Sequence, residues 1–222
     1  MALRLPHSPA TSAVPLAVAR LDNFQWIICE AGYANVVKVV DVDVDVDRHD
    51  IIPSATSPSS AAHPHQSTVY GILYAMHPAD EAALDRYEGH TPDRNPHPEP
   101  NYRPFLQGTW VYNKHYLRVH VVKWLVGNGD NGNGRRGVHV ESRGQGGEDD
   151  DVVRALVYVD EVRTQPGRIN TEYIGRMNRA IDESTALGLP VDWVDAVIRP
   201  HVQPGVEVPD RNYVGRVDKV ED

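Results

Sequence analysis

Two long polar stretches divide this chain of 222 residues and limit which parts of it can build a core. The first runs from 41 to 67 and is rich in Asp, Ser and Pro, and the second runs from 127 to 151 and is rich in Gly, Asn and Asp. Sequence of this kind buries too little apolar surface to offset the entropy that is lost on ordering. We therefore predict a single domain over 1–222, with both stretches as low-complexity insertions outside the core and 204–222 as a loose tail.

Outside these stretches, strand-like segments outnumber helical ones, and most of the helical sequence lies in the second half. Five segments have the β-branched and aromatic composition of strands: FQWIICE, ANVVKVV, TVYGILYAM, YLRVHVVKWL and RALVYV. Pro78 opens and Gly89 closes a short helix, whereas a longer helix begins at Asn170 or Thr171 and ends at Gly188. This order predicts the α+β class, with a small mixed, mostly antiparallel, barrel-like sheet and flanking helices.

The charge balance and the apolar pattern argue against several classes of partner. A net charge of −9 leaves no basic face for nucleic acid. No apolar run approaches the roughly 20 residues that a membrane helix needs, and the first residues contain no long apolar segment of the secretory-signal type. Cys29 is the only cysteine, so no intrachain disulfide can form. We therefore predict a cytoplasmic protein with neither nucleic-acid nor membrane partners.

Acidic and histidine-containing tracts raise the question of a metal site. The acidic tract carries carboxylates at alternating positions: Asp41, Asp43, Asp45 and Asp47. A calcium loop needs a glycine at its sixth position and a glutamate at its twelfth, where Val46 and Ile52 stand. Four histidines lie near prolines without the spacing of metal ligands: His63, His65, His90 and His97. We predict no metal, and a metal-binding module built from these tracts is kept as an alternative.

One carboxylate has a more specific setting. Glu88 comes directly before Gly89 at the end of the short helix, where a side chain can face a cavity. The segment around it, TVYGILYAMHPADEAALDRYEG, resembles the block of the γ-glutamylcyclotransferase family in which a strand leads through a short helix to the catalytic glutamate. Other segments resemble that family's neighbouring strands and closing helix, in the family's order: RLDNFQWIICEAGYANVV, VYNKHYLRVHVVKW, RALVYVDE and INTEYIGRMNRAIDESTALGLPVDWV.

The resemblance implies an enzyme of the lyase class and names its site residues. Glu88 matches the general acid/base, and Tyr112 matches a substrate-binding tyrosine that opens a strand, with Tyr102 as the alternative. Tyr158 and Tyr173 match positions that line the substrate pocket, and simple packing is their alternative role. The implied reaction belongs to glutathione metabolism: it converts γ-glutamyl amino acids or peptides to 5-oxoproline and releases the amino acid. It needs no cofactor, since nucleophile and electrophile belong to one molecule.

The chain departs from the family at its start. The family's Tyr-Gly-Ser-Asn loop, whose backbone N–H groups hold the substrate, has no counterpart here, and MALRLPHSP resembles the segment that follows that loop. The resemblance thus implies a chain that begins at an internal methionine, with lower activity and stability than a longer form. The alternative is a non-catalytic relative of the same fold that acts as a binding or interaction protein. A homodimer is also left open.

Overall fold

An antiparallel sheet of five strands forms the centre of the described structure. The computed structural model describes residues 13–39, 67–90, 112–125, 140–142 and 151–206. The strands in chain order are β1 (Val14–Asp22), β2 (Phe24–Ile28), β3 (Ala34–Lys38), β4 (Thr68–Ala75), β5 (Asn113–Trp124), β6 (Val140–Ser142) and β7 (Asp151–Val159). The order in the main sheet is β4-β1-β5-β7-β6, while β2 and β3 pair with each other as a hairpin.

Helices complete the α+β fold that the sequence predicts. They are α1 (Pro78–Tyr87), α2 (Thr171–Ala186) and α3 (Val191–Trp193), and α3 continues as a π-helical turn over Val194–Ile198. All strand pairings of the described residues are antiparallel, which confirms the predicted class and the mostly antiparallel sheet but not its barrel-like form. No pairing of described residues joins the outer strands β4 and β6, so this sheet is open.

One strand that the sequence patterns do not predict is β1, which lies between β4 and β5. Its sequence VPLAVARLD contains alanines and a proline instead of a run of β-branched residues. Ala17, Val18 and Ala19 are nevertheless 0, 1 and 7% exposed, because neighbouring strands pair with both edges of β1. Burial in the middle of the sheet therefore decides the conformation of this segment, and local propensity does not.

The second polar stretch contributes to the sheet, contrary to the prediction that all of 127–151 lies outside it. Val140 of β6 pairs with Val153 in β7, and β7 begins at Asp151. The outer edge of β7 presents backbone N–H and C=O groups that need partners, and even a three-residue strand satisfies some of them. The prediction is therefore wrong for β6 and for Asp151. The other positions of this stretch lie outside the described residues.

Helix α2 and the turn after it pack against the main sheet. Met177 and Ile181 of α2 belong to one buried cluster with Leu117 of β5. Trp193 is 1% exposed, and its Nε1 donates a hydrogen bond to the carbonyl oxygen of Thr68 at 3.0 Å. These contacts fix the position of α2 relative to the strands.

Helix α1 packs through a second, smaller apolar cluster. Leu84 is buried there against Met76 and Tyr158. The helix begins where the sequence predicts, with His77 as the N-cap and Pro78 in the first turn. The Nδ1 atom of His77 accepts a hydrogen bond from a backbone N–H of the first turn at 3.2 Å. Helix α1 therefore reaches β7 through Tyr158, one of the residues predicted for the site.

Several sequence predictions concern residues outside the described ranges: 41–66, Tyr102, His97 and 207–222. Within the described ranges, no helix is long and apolar enough to cross a membrane. The same residues contain no group of three or more His, Cys, Asp or Glu side chains that could hold a metal ion.

Candidate functional site

The last turn of α1 holds Glu88 in a defined position. The N–H of His90 donates to the carbonyl oxygen of Asp85 at 2.8 Å. The N–H of Gly89 donates to the carbonyl oxygen of Arg86 at 3.3 Å, and Gly89 has a φ of 68°, which glycine adopts without steric cost. These two bonds form the Schellman motif that closes many helices. Glu88 is therefore the half-buried C-cap residue of α1, as the Glu-Gly pair predicts.

Tyr112 links the neighbourhood of Glu88 to the β2–β3 hairpin. Its hydroxyl donates a hydrogen bond to the carbonyl oxygen of Ala34, at the start of β3, at 2.8 Å. Burial raises the pKa of the Tyr112 phenol well above its usual range, and the nearby Tyr173 and Glu88 side chains raise this pKa further. Charge effects of this kind require proximity, so the three side chains share one region of the protein.

The charge of Glu88 also raises the pKa of Tyr158, but the Tyr158 hydroxyl binds a different carboxylate. The hydroxyl donates to Oδ1 of Asp85 at 2.5 Å. Burial raises the pKa of the Tyr158 phenol, and the hydrogen bond to Asp85 raises it further. The charges of Asp85, Glu81 and Glu88 act in the same direction. Tyr158 therefore keeps its proton at neutral pH.

Lys114 belongs to a polar cluster between the main sheet and α1. We call it the Asp85 cluster and define it as Glu81, Asp85, Lys114 and Tyr158. The Nζ of Lys114 lies 2.9 and 3.0 Å from the two carboxylate oxygens of Asp85 and 2.5 Å from Oε1 of Glu81. Burial alone would lower the pKa of Lys114, but hydrogen bonds and charges from the two carboxylates outweigh burial and raise it. Lys114 pairs with Tyr158 across β5 and β7, so both side chains reach α1 from neighbouring strands.

Tyr173 lies in a contact between the start of α2 and the β2–β3 hairpin. Its ring meets the ring of Tyr33 edge-on, with 5.2 Å between the centroids. The Tyr33 hydroxyl donates to Oε1 of Glu172 at 2.9 Å. The guanidinium carbon of Arg176 lies 4.8 Å from the centroid of Tyr173 and 6.0 Å from that of Tyr33, within the range of cation–π attraction. This contact brings a positive charge next to Tyr173.

The turn between β2 and β3 fits closely against the start of α2. The carbonyl oxygen of Gly32 accepts a hydrogen bond from the N–H of Asn170 at 3.1 Å, and Nδ2 of Asn170 donates to the carbonyl oxygen of Ala31 at 2.9 Å. Gly32 has a φ of 82°, and a Cβ at this position would collide with the Asn170 side chain. Asn170 occupies the predicted N-cap position, but its side chain makes no capping hydrogen bond and holds the hairpin instead.

A buried polar network ties the beginning of β5 to the residues after β7. Glu161 places Oε1 2.7 Å from Nε2 of His115, and its Oε2 accepts a hydrogen bond from Nδ2 of Asn113 at 2.6 Å. Asn113 and His115 are both 0% exposed. Hydrogen bonds within a low-dielectric interior are strong when the partners are well placed. The network therefore fixes the strand end next to Tyr112.

The structure brings the predicted residues Glu88, Tyr112, Tyr158 and Tyr173 into one region. Glu88 acts electrostatically on Tyr112 and Tyr158, and Tyr173 acts on Tyr112. The hydroxyls of Tyr112 and Tyr158 are both bound by protein atoms. Whether any of the four contacts a substrate stays a prediction.

Sequence reasoning missed several residues of this region. Asp85 carries a usable signal, because it lies three positions before Glu88, the spacing that places two side chains on one face of a helix. Arg176 carries the same signal, because it lies three positions after Tyr173 in α2. Lys114 carries no comparable local signal, since its partners lie on a different element. Long-range contacts of this kind are invisible in a single sequence.

No protein-family model matches the sequence, no curated protein matches it, and no solved structure matches it. The described residues form an α+β protein with an antiparallel sheet. The candidate site contains one half-buried carboxylate at a helix end, three tyrosines and a partly buried cluster of ion pairs.

Proposed function

We propose that this protein catalyses the cyclisation of γ-glutamyl amino acids or peptides, the reaction of the γ-glutamylcyclotransferases. The α-amino nitrogen of the substrate attacks its own γ-amide carbonyl carbon, which forms the ring C–N bond of 5-oxoproline. The amide C–N bond to the released amino acid breaks in the same conversion. One proton leaves the attacking nitrogen and one reaches the leaving nitrogen, so the reaction needs a proton carrier and a bound, ring-ready substrate.

The position of Glu88 is the observation that supports the proposal. It is half-buried at the end of α1, and its charge reaches the phenols of Tyr112 and Tyr158. A carboxylate in a partly desolvated setting can take the proton of the attacking amine and return it to the leaving amine. Both phenols hold their own protons at neutral pH, since the pKa of a phenol is ordinarily near 10 and is raised further here, so they do not compete as bases.

The surroundings of Tyr173 suit an anionic substrate. A γ-glutamyl amino acid carries two carboxylates, and a planar guanidinium binds a carboxylate through two parallel hydrogen bonds. Arg176 lies against Tyr173, with its guanidinium carbon 4.8 Å from the centroid of the ring. We therefore assign Arg176 to a substrate carboxylate and Tyr173 to the apolar part of the substrate beside it.

A non-catalytic binding protein is the second candidate. It is favoured by the partners of the two tyrosines, since the Tyr112 hydroxyl binds a backbone carbonyl and the Tyr158 hydroxyl binds Asp85. Tyrosines that pack and satisfy their hydroxyls within the protein need no substrate. A protein of this second kind would bind a γ-glutamyl compound without converting it.

The test is to identify the products formed from γ-glutamyl-alanine. These 222 residues and a form extended upstream are each incubated with the compound in ¹⁸O-labelled water, and the products are measured by mass spectrometry. Cyclisation yields 5-oxoproline and alanine in equal amounts, with no ¹⁸O in the 5-oxoproline. Formation by either form supports the proposal. Glutamate in place of 5-oxoproline, or no product from both forms, overturns it, and binding without product then favours the second candidate.

A further inference from the structure

We propose that Asp85 and Lys114 position Glu88, and that Tyr158 acts through Asp85 instead of contacting the substrate. This inference rests on the proposed function for its catalytic consequence. It changes the role of Tyr158 from a substrate-binding residue to a positioning residue, and it gives a role to two residues that the resemblance leaves unassigned.

The hydrogen bond that the Tyr158 hydroxyl donates links Tyr158 to Asp85. A phenol has one hydrogen to donate, and that of Tyr158 is directed to Oδ1 of Asp85 at 2.5 Å. Lys114 donates to the same oxygen at 2.9 Å and to Oδ2 at 3.0 Å. Tyr158 thus has no hydrogen left for a developing oxyanion. Asp85 in turn is held by side chains from two neighbouring strands, β5 and β7.

The backbone of α1 links Asp85 to Glu88. The carbonyl oxygen of Asp85 accepts the N–H of His90 at 2.8 Å, and the carbonyl oxygen of Leu84 accepts the N–H of Glu88 at 2.9 Å. The residue whose side chain is anchored to the sheet therefore also closes the turn that contains Glu88. A misplacement of about 1 Å in a reacting group can cost about 100-fold in rate. Loss of the contacts that hold Asp85 to the sheet is thus expected to displace Glu88 and to lower the rate.

The charges of the Asp85 cluster hold the side chain of Asp85 in place against the sheet. The side chains of Lys114, Asp85 and Glu81 are 9, 16 and 33% exposed, so solvent screens their attraction only in part. Two carboxylates share one ammonium, and Tyr158 adds a third hydrogen bond to the two that Lys114 donates to Asp85. Removing one member of such a group leaves the remaining charge poorly compensated. Each member therefore affects the position of the others.

A double-mutant cycle in the more active of these two forms separates an indirect role of Tyr158 from direct substrate contact. Tyr158→Phe, Asp85→Asn and the double variant are compared by kcat and KM for 5-oxoproline formation. If Tyr158 acts through Asp85, Tyr158→Phe lowers kcat by about 10-fold in the parent and by less than about 2-fold in the Asp85→Asn background, with KM nearly unchanged. Equal effects in both backgrounds, or a change mainly in KM, would overturn the inference. Asp195→Asn is the control, since Asp195 is exposed and remote in sequence.

Hydrogen exchange distinguishes failure of this inference from failure of the proposed function. The backbone amides of Glu88 and His90 report the last turn of α1 without any turnover. Asp85→Asn and Tyr158→Phe are each expected to speed exchange at these two amides by about 10-fold, with amides of α2 unchanged. Unchanged exchange at Glu88 and His90 would refute the positioning role. If the parent forms no 5-oxoproline, the proposed function fails, and the exchange result still decides the role of the Asp85 cluster.

Discussion

Two tyrosines of the candidate site, Tyr112 and Tyr158, are each held by the acceptor that the hydroxyl binds. Tyr112 donates to a backbone carbonyl 78 residues earlier, and Tyr158 donates to a carboxylate 73 residues earlier. The sequence predicts that these tyrosines lie near Glu88, because the resemblance places them on neighbouring elements. It does not predict the partners, since a hydroxyl can bind whichever acceptor the fold brings near it. This is why Tyr158 is assigned to the substrate from the sequence and to Asp85 from the structure.

Arg176→Lys is expected to raise the KM for γ-glutamyl-alanine by about 10-fold and to leave kcat within about 2-fold. A lysine retains the charge but loses the planar pair of donors and the stacking on Tyr173. Steady-state assays of 5-oxoproline formation measure both constants. Arg179→Lys, an exposed position on the same helix, is the control and should leave KM unchanged. An unchanged KM in Arg176→Lys would remove Arg176 from substrate binding.

At the scale of secondary structure, elements with local signals are predicted best. Helix α1 begins at His77-Pro78 and is closed at Gly89, as predicted, because capping depends on a few adjacent residues. Strand β1 and strand β6 are missed, because their conformation depends on neighbours far along the chain. The contact between the β2–β3 turn and α2 is likewise long-range.

Gly32→Ala is expected to lower the free energy of unfolding by about 1–3 kcal/mol, since the alanine must adopt a positive φ and its Cβ meets the Asn170 side chain. Because Asn170 lies just before Tyr173 in α2, activity should fall as well. Denaturant titration measures the change in stability. Gly71→Ala is the matched control, since a Cβ at Gly71 meets nothing within 4 Å and should change stability by less than about 0.5 kcal/mol. Equal stability of Gly32→Ala and the parent would mean that the turn is not tightly fitted.

At the scale of the whole molecule, the buried ionisable groups predict a loss of stability in alkali. Tyr112, Tyr158 and Lys114 all have a raised pKa in the folded protein. The unfolded chain releases these protons near pH 10, while the folded protein retains them until the pH passes the raised values. Their contribution is therefore complete below about pH 10 and is lost as the pH rises above it toward the raised values.

Tyr158→Phe is expected to make the alkaline decrease in stability less steep than in the parent. One of the proton-retaining groups is then absent, so the free energy of unfolding falls more slowly with pH. Urea titrations between about pH 9 and pH 11 measure the slopes. Parallel slopes for the parent and Tyr158→Phe would show that Tyr158 titrates alike in the folded and unfolded chains.

The α+β class and the antiparallel sheet follow from the order of strand-like and helical segments, and the structure confirms both. The open sheet of the described residues and the central position of β1 do not follow from that order. Within the site, the position of Glu88 at a helix end is predicted by Gly89, whereas the Asp85 cluster depends on pairing between β5 and β7. Local chemistry is thus predictable here, and the partners supplied by folding are not.

The most direct test of the account is the initial rate of 5-oxoproline formation by Glu88→Gln relative to the parent, in the more active of the two forms and at equal concentrations of folded protein. The amide keeps the shape of the side chain but cannot carry the proton, so the rate should fall by at least about 100-fold while the melting temperature stays the same. Glu183→Gln, an exposed glutamate of α2, should keep the parent rate. A rate for Glu88→Gln within about 10-fold of the parent would contradict the acid/base role of Glu88.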